Sequence, residues 1–170
     1  MSTSALRRLY LVRFVFAVVW AGLFVATSSP VGTAAVVLAV LYPVFDLGAA
    51  VVDLRTSGDR RPMLVVNMAL SLAAAVALAV VGDDLEGILV VWGIWAITAG
   101  AVQLSVGVVR RALGGQWPMI LSGGISVLAG ASFAASASSA TSVTGIAGYA
   151  TLGGLFFLVS ALRLRQPAVA

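Results

Sequence analysis

Two carboxylates, two carboxamides and one guanidinium stand inside stretches that are otherwise almost wholly apolar: Asp46 and Asp53, Asn67 and Gln103, and Arg13. A charged side chain in a hydrocarbon layer costs several kcal/mol unless it is paired, so residues of this kind mark proton, ion or polar-solute pathways. The bland alternative is an internal polar clamp that fixes how helices meet. Asp46 and Asp53 stand seven residues apart and share one helix face. At a rise of about 1.5 Å per residue, Asp46 lies ~13 Å deeper than Arg55, Gln103 ~10 Å deeper than Arg110, Asn67 ~8 Å above Pro62 and Arg13 ~8 Å above Arg8. Four of the five residues thus fall at similar height, in the half of the layer nearer the arginines. Arg13 is the natural partner of Asp46 or Asp53, because a short turn joins their helices. Asn67 and Gln103 are placed to complete a hydrogen-bonded layer. Asp53, close to Arg55, reads by itself as an interface residue reaching for the headgroups. Pro43 removes a backbone donor and frees a carbonyl near Ala39. Tyr42 is the expected donor to that carbonyl or to Asp46.

The elements that carry these residues are drawn by hydropathy and by arginine. Of the 170 residues, 61% are hydrophobic and 9% charged, and the mean hydropathy is +1.11. A soluble domain is roughly a quarter charged. A membrane-spanning helix needs about 20 mostly apolar residues, and six such runs fill nearly the whole length. All ten basic residues are arginines, and they precede or begin the first run or follow the second, fourth and sixth. Loops on the cytoplasmic side collect Arg and Lys, so this spacing sets both the number of crossings and their direction. Helices are expected at about 9–26, 33–54, 63–81, 86–109, 117–135 and 145–163. Pro30 with Gly32, the Gly82-Asp83-Asp84 turn and the Ser/Ala/Thr stretch 136–144 form the turns opposite the arginines. Arg55, Arg110 and Arg165 each close a hairpin at an interval of 55 residues, and Pro62-Met63-Leu64 matches Pro118-Met119-Ile120. The sequence therefore predicts an all-α protein in one membrane domain over 1–170. It is a six-transmembrane-helix bundle built from three parallel helical-hairpin repeats, at about 9–54, 63–109 and 117–163. The expected place is a bacterial plasma (inner) membrane, multi-pass, with both termini cytoplasmic. Arg13 interrupts the first apolar run, so that run is expected to be a retained helix rather than a cleaved leader.

Small residues on the helices supply the seams. Lipid tails are as apolar as leucine, so helices associate through close backbone approach instead. Ser122, Ser126, Gly130 and Ala134 form a stripe along the fifth helix, and Ala96 and Gly100 offer a shorter one on the fourth. Ala69, Ala73 and Ala77 suggest another on the third. Trp92, Trp95 and Trp117 are expected as interface anchors and Trp20 as packing.

Several function classes are disfavoured. There is no cysteine and no histidine, which removes thiolate chemistry, the commonest metal ligand and the usual base near neutrality. No metal and no cofactor are expected, and no enzymatic motif surrounds the serines. Asp83, Asp84 and Glu86 read as a solvated cap rather than a cation site. A net charge of +4 and a pI near 10.7 are spread over four membrane-edge segments. This suits membrane lipids as partners and not nucleic acid.

The stretch Trp92-Gly93-Ile94-Trp95-Ala96-Ile97-Thr98-Ala99-Gly100-Ala101-Val102-Gln103-Leu104 resembles the repeat of the HdeD-like family of small bacterial membrane proteins, as does Trp117 through Gly130. The shared pattern is tryptophan, an apolar run with glycine, arginines at a helix end, then a second tryptophan and glycines seven apart. Tyr42-Pro43 with Asp46, Asp53 and Asn67 is similar to a subgroup of these proteins. Helix six departs from the pattern at Tyr149 and Gly154. The resemblance implies six helices and a link to acid resistance, and no catalytic residue comes with it. The expected function is a structural or stress-related membrane component, acting by association with itself or with other membrane proteins. The alternative is a small channel or proton-coupled permease using the polar site at Asp46.

The absence of native cysteine makes the threading directly testable. Single cysteines at Ser29 and Ser139 should react with an impermeant maleimide only from outside intact cells. A cysteine at Arg111 should react only after the membrane is opened.

Overall fold

The computed structural model describes residues 3–56 and 61–164. Arg60 and Arg165, which contributed to the arginine pattern and to the repeat spacing, lie outside the described residues. Within them the chain forms six long helices and no strand: α1 (Thr3–Thr27), α2 (Thr33–Thr56), α3 (Arg61–Val81), α4 (Leu85–Val109), α5 (Trp117–Ser136) and α6 (Gly145–Arg163). All six are long and apolar enough to cross a membrane. Helices are the natural solution for such a chain, because each one satisfies its own backbone hydrogen bonds where no water can.

Boundaries are set by turn chemistry. Gly82 adopts φ 62°, Asp84 caps α4 by accepting the Gly87 N–H at 3.0 Å, and Gly114 and Gly115 turn the chain after α4 with φ 69° and 62°. At Gly115 a side chain would also collide with the backbone at Arg163 and Leu164. The largest departure from expectation is at α1, which starts at Thr3 rather than near residue 9. Hydropathy marks the part of a helix inside hydrocarbon. The backbone ladder continues beyond it, so Arg7 and Arg8 are helical.

Each helix packs on its neighbour in sequence, and α6 closes back on α1, so the bundle is a ring. The extent of packing alternates around it. The pairs α4–α5, α1–α6 and α2–α3 share the most contact, whereas α1–α2 and α5–α6 share the least. Contact is therefore greater between the expected hairpins than within them. The reason is visible along α4 and α5. A Cβ added at Gly93 would lie 2.6 Å from the Gly130 carbonyl oxygen, and one at Gly130 would lie 2.5 Å from that of Gly93. Gly100 and Gly123 oppose each other in the same way one heptad along, with a Cβ on Gly123 falling 2.7 Å from the Gly100 oxygen. Ser122, Ser126 and Ala96 are buried, and Ala134 touches Gly93. The small residues of α4 and α5 are thus spent on one antiparallel seam inside the protomer. By contrast Ala69 and Ala73 of α3 are exposed, and α3 turns Ser71, Ala74, Ala75 and Leu78 inward instead.

Inside the ring, a large apolar cluster fills the end away from the arginines, built around Trp20, Phe24, Leu78, Ile88, Trp92 and Ile146. A smaller cluster at the arginine-bearing end contains Leu6, Tyr10, Met119 and Phe157. Trp92 and Trp95 are buried, at 0% and 6% exposure, and meet edge-on at 5.4 Å. They are core residues and not the expected anchors, because the inner face of α4 is the face that carries them. Trp117 is 76% exposed at the start of α5. The outer surface is apolar, with Val15, Val37, Val80, Leu128 and Leu162 exposed, as a lipid-facing surface requires.

Gly130→Ala should lower stability by about 1–3 kcal/mol, since the added methyl group meets backbone that cannot move aside. Gly22→Ala, where a Cβ meets nothing within 4 Å, should leave stability unchanged or raise it. Thermal melting of the two variants in detergent or nanodiscs checks both.

Candidate polar cavity

Among the described residues two ion pairs are found, both anchored on α2. Arg13 of α1 pairs with Asp46 Oδ1 at 2.9 Å. The other carboxylate oxygen, Oδ2, accepts from Asn67 Nδ2 at 2.7 Å and from Ser71 Oγ at 2.8 Å. Trp95 Nε1 in turn donates to Ser71 Oγ at 3.2 Å. One carboxylate on α2 therefore gathers α1 and α3 directly and α4 through one hydroxyl. The Arg13 guanidinium also lies over the Phe157 ring, 5.0 Å from its centre, which brings in α6.

Asp53 makes the second pair. It faces inward, at 7% exposure, and binds Arg110 in a two-pronged geometry, with Nη1 to Oδ2 at 2.8 Å and Nη2 to Oδ1 at 2.6 Å. The reading of Asp53 as an interface residue is corrected by that burial. Seven residues after Asp46, it cannot turn to the headgroups without leaving the face both aspartates share. Burial acts to lower the Arg110 pKa, but the hydrogen bonds and charge of Asp53 outweigh it and hold the guanidinium above its ordinary value. Beside this pair Tyr10 Oη donates to Gln116 Oε1 at 3.3 Å, and Gln116 Nε2 donates to the Gly114 carbonyl at 3.2 Å.

Between these groups lies a cavity of about 110 Å³. All six helices contribute a polar side chain to its wall: Arg13, Asp46, Asn67, Gln103, Ser126 and Tyr149. A water needs roughly 10–15 Å³ on this measure, so the space holds several. Arg13 and Asp46 present more surface than the other pair, with side-chain exposures of 16% and 13% against 3% and 9%. All four charged side chains line the cavity. The Asp53–Arg110 and Tyr10–Gln116 contacts lie toward the arginine-bearing end, and the Trp20–Trp92 cluster toward the other.

The five sequence-selected residues are therefore divided. Arg13, Asp46 and Asn67 meet in one network. Asp53 belongs to the second pair. Gln103 lines the same cavity, but its Nε2 donates to the Met119 carbonyl at 3.2 Å and not to the Asp46 network. Ser71, Arg110, Trp95 and Tyr149 went unselected. Ser71 stands four residues after Asn67, a same-face spacing that marks it. Tyr149, whose hydroxyl donates to Ser126 Oγ at 3.0 Å, carries no local signal. Near Pro43 it is Trp20 Nε1 that donates to backbone, to the Leu38 carbonyl at 2.7 Å, while the Tyr42 ring packs between Phe16 and the tryptophans.

Six apolar helices closed around a charged interior define an integral, multi-pass membrane protein. No family model, no curated protein and no solved structure matches this chain.

Removing one member of a buried pair leaves the other charge uncompensated, at about 3–5 kcal/mol. Asp53→Ala should therefore destabilise the bundle on that scale. Asp53→Leu combined with Arg110→Met should cost less than either single change, as read by melting in nanodiscs.

Proposed function

We propose that the protein is a small permease of a bacterial inner membrane, with both termini in the cytoplasm, that admits a small polar solute from the cytoplasmic side into the cavity at Arg13 and Asp46. The single observation that carries this reading is the cavity itself. A bundle that needed only to hold together would fill its centre, since interiors pack to the density of organic crystals. Here six helices each turn a polar group toward open space instead. The arginine asymmetry supports the orientation. Charge narrows the solute class. Two arginines and two aspartates line the space, so the wall is balanced and suits a net-neutral, hydrogen-bonding solute better than a lone ion.

A second reading has its own support. Asp46 receives three donors from α1 and α3, the arrangement expected of a clamp. On this reading the protein is a structural or stress-related component, in keeping with its resemblance to the HdeD-like family and that family's link to acid resistance.

Reconstituted vesicles separate the two. Light-scattering relaxation after an osmotic jump with urea, glycerol, glycine or betaine should be faster with the protein than without it for at least one solute. A pH-sensitive dye inside the same vesicles follows protons. Asp46→Asn and Arg13→Gln should return the rate to the protein-free value, and Arg111→Gln should not. If Asp46→Asn leaves every flux unchanged but lowers survival of the host at acid pH, the structural reading stands and the permease does not.

A further inference from the structure

A second concavity lies on the outside of the ring, where α1 and α2 share little contact. It is a groove of about 620 Å³. Val15, Val19 and Leu23 of α1 and Leu41 of α2 form its exposed walls, and Phe16 and Phe45, stacked at 3.6 Å and 7°, form its floor. Every lining side chain is apolar or aromatic except one. Arg8 stands exposed at the arginine-bearing end, on the α1 stripe that continues through Val12, Val15 and Val19. From Arg8 to Leu23 the groove runs ~22 Å, enough to span the ~15 Å of hydrocarbon in one leaflet and reach its headgroups.

We propose that this groove holds one acyl chain of an anionic phospholipid whose phosphate pairs with Arg8. The length and apolar lining match a single chain lying along the membrane normal. The guanidinium is a planar, multi-donor partner for phosphate oxygens and sits at the depth where a headgroup begins. Charge also decides against a second copy of the chain as the occupant. A two-fold dimer through this face, with its axis along the membrane normal, would set two Arg8 side chains at the same depth in one interface. The site differs from the lipid that surrounds any membrane protein, because an exposed arginine stands at the end of an otherwise apolar groove. Arg111, also exposed at the same end, does not line this groove and donates to the Val108 carbonyl of its own helix. Phe45 lines both the groove and the central cavity, so the bound chain backs one wall of the polar site.

The test uses the full chain in bilayers containing equal phosphatidylglycerol and phosphatidylcholine with identical chains, followed by native mass spectrometry of the released protein. The wild type should retain one phosphatidylglycerol, preferred about fivefold, the factor for one arginine near a membrane surface. Arg8→Gln should abolish the preference, and Arg111→Gln should keep it. Val15→Trp or Val19→Trp, both on lipid-facing positions, should remove retention of either lipid with the melting temperature unchanged. Undiminished preference in Arg8→Gln, undiminished retention in both tryptophan variants, or a dimer that both tryptophan variants dissociate would each overturn the proposal.

Discussion

Inside hydrocarbon, a charge must find its opposite within the protein, and α2 carries two that need partners. Asp46 and Asp53 project from one face of that helix. Each is matched by a different neighbour, Arg13 from α1 and Arg110 from the end of α4. Asn67 and Ser71 complete Asp46 from α3. Three of the other five helices are thereby referenced to a single face of α2. The ring has an inside because those charges define one.

The other organising force is how closely backbones can approach. Along α4 and α5 glycines oppose glycines, so that backbone meets backbone at Gly93–Gly130 and Gly100–Gly123. At the other closing seam Gly154 lies against Ala17, where a Cβ would stop 3.0 Å away. The α1–α2 seam has bulky aromatic rings in place of glycine, Phe16 on Phe45 and Trp20 against Tyr42. Aromatic rings hold helices apart as they join them. Close seams on one side and spaced ones on the other give a ring that encloses a hollow and opens a furrow toward the lipid.

Much of this was legible in the sequence, and the division between what was and what was not is physical. Hydropathy and turn residues gave six helices, because both are local. Rise per residue placed Arg13, Asp46 and Asn67 at one height, and the short Ser28–Gly32 turn gave Arg13 and Asp46 adjacent helices. Height does not give direction around a helix. In a soluble protein the polar face supplies that direction. Here the lipid-facing side is as apolar as the core, so nothing marked Trp92 and Trp95 as inward or Ala69 and Ala73 as outward. Asp53 was misread for a related reason. Its nearest arginine in sequence, Arg55, is exposed, whereas its actual partner lies 57 residues on and comes within reach only through tertiary structure.

The Arg7 side chain donates from α1 to the Ala161 and Leu164 carbonyls at the end of α6, at 3.0 and 2.8 Å. The first of these six helices to be made is thus completed by the sixth. Arg13 finds Asp46 as soon as the second helix arrives, and Asp53 waits for the fourth. Biogenesis must therefore carry a partly neutralised, unclosed arc of helices until α6 is made. The guanidinium of Arg7 acts as a clasp that only α6 can fasten.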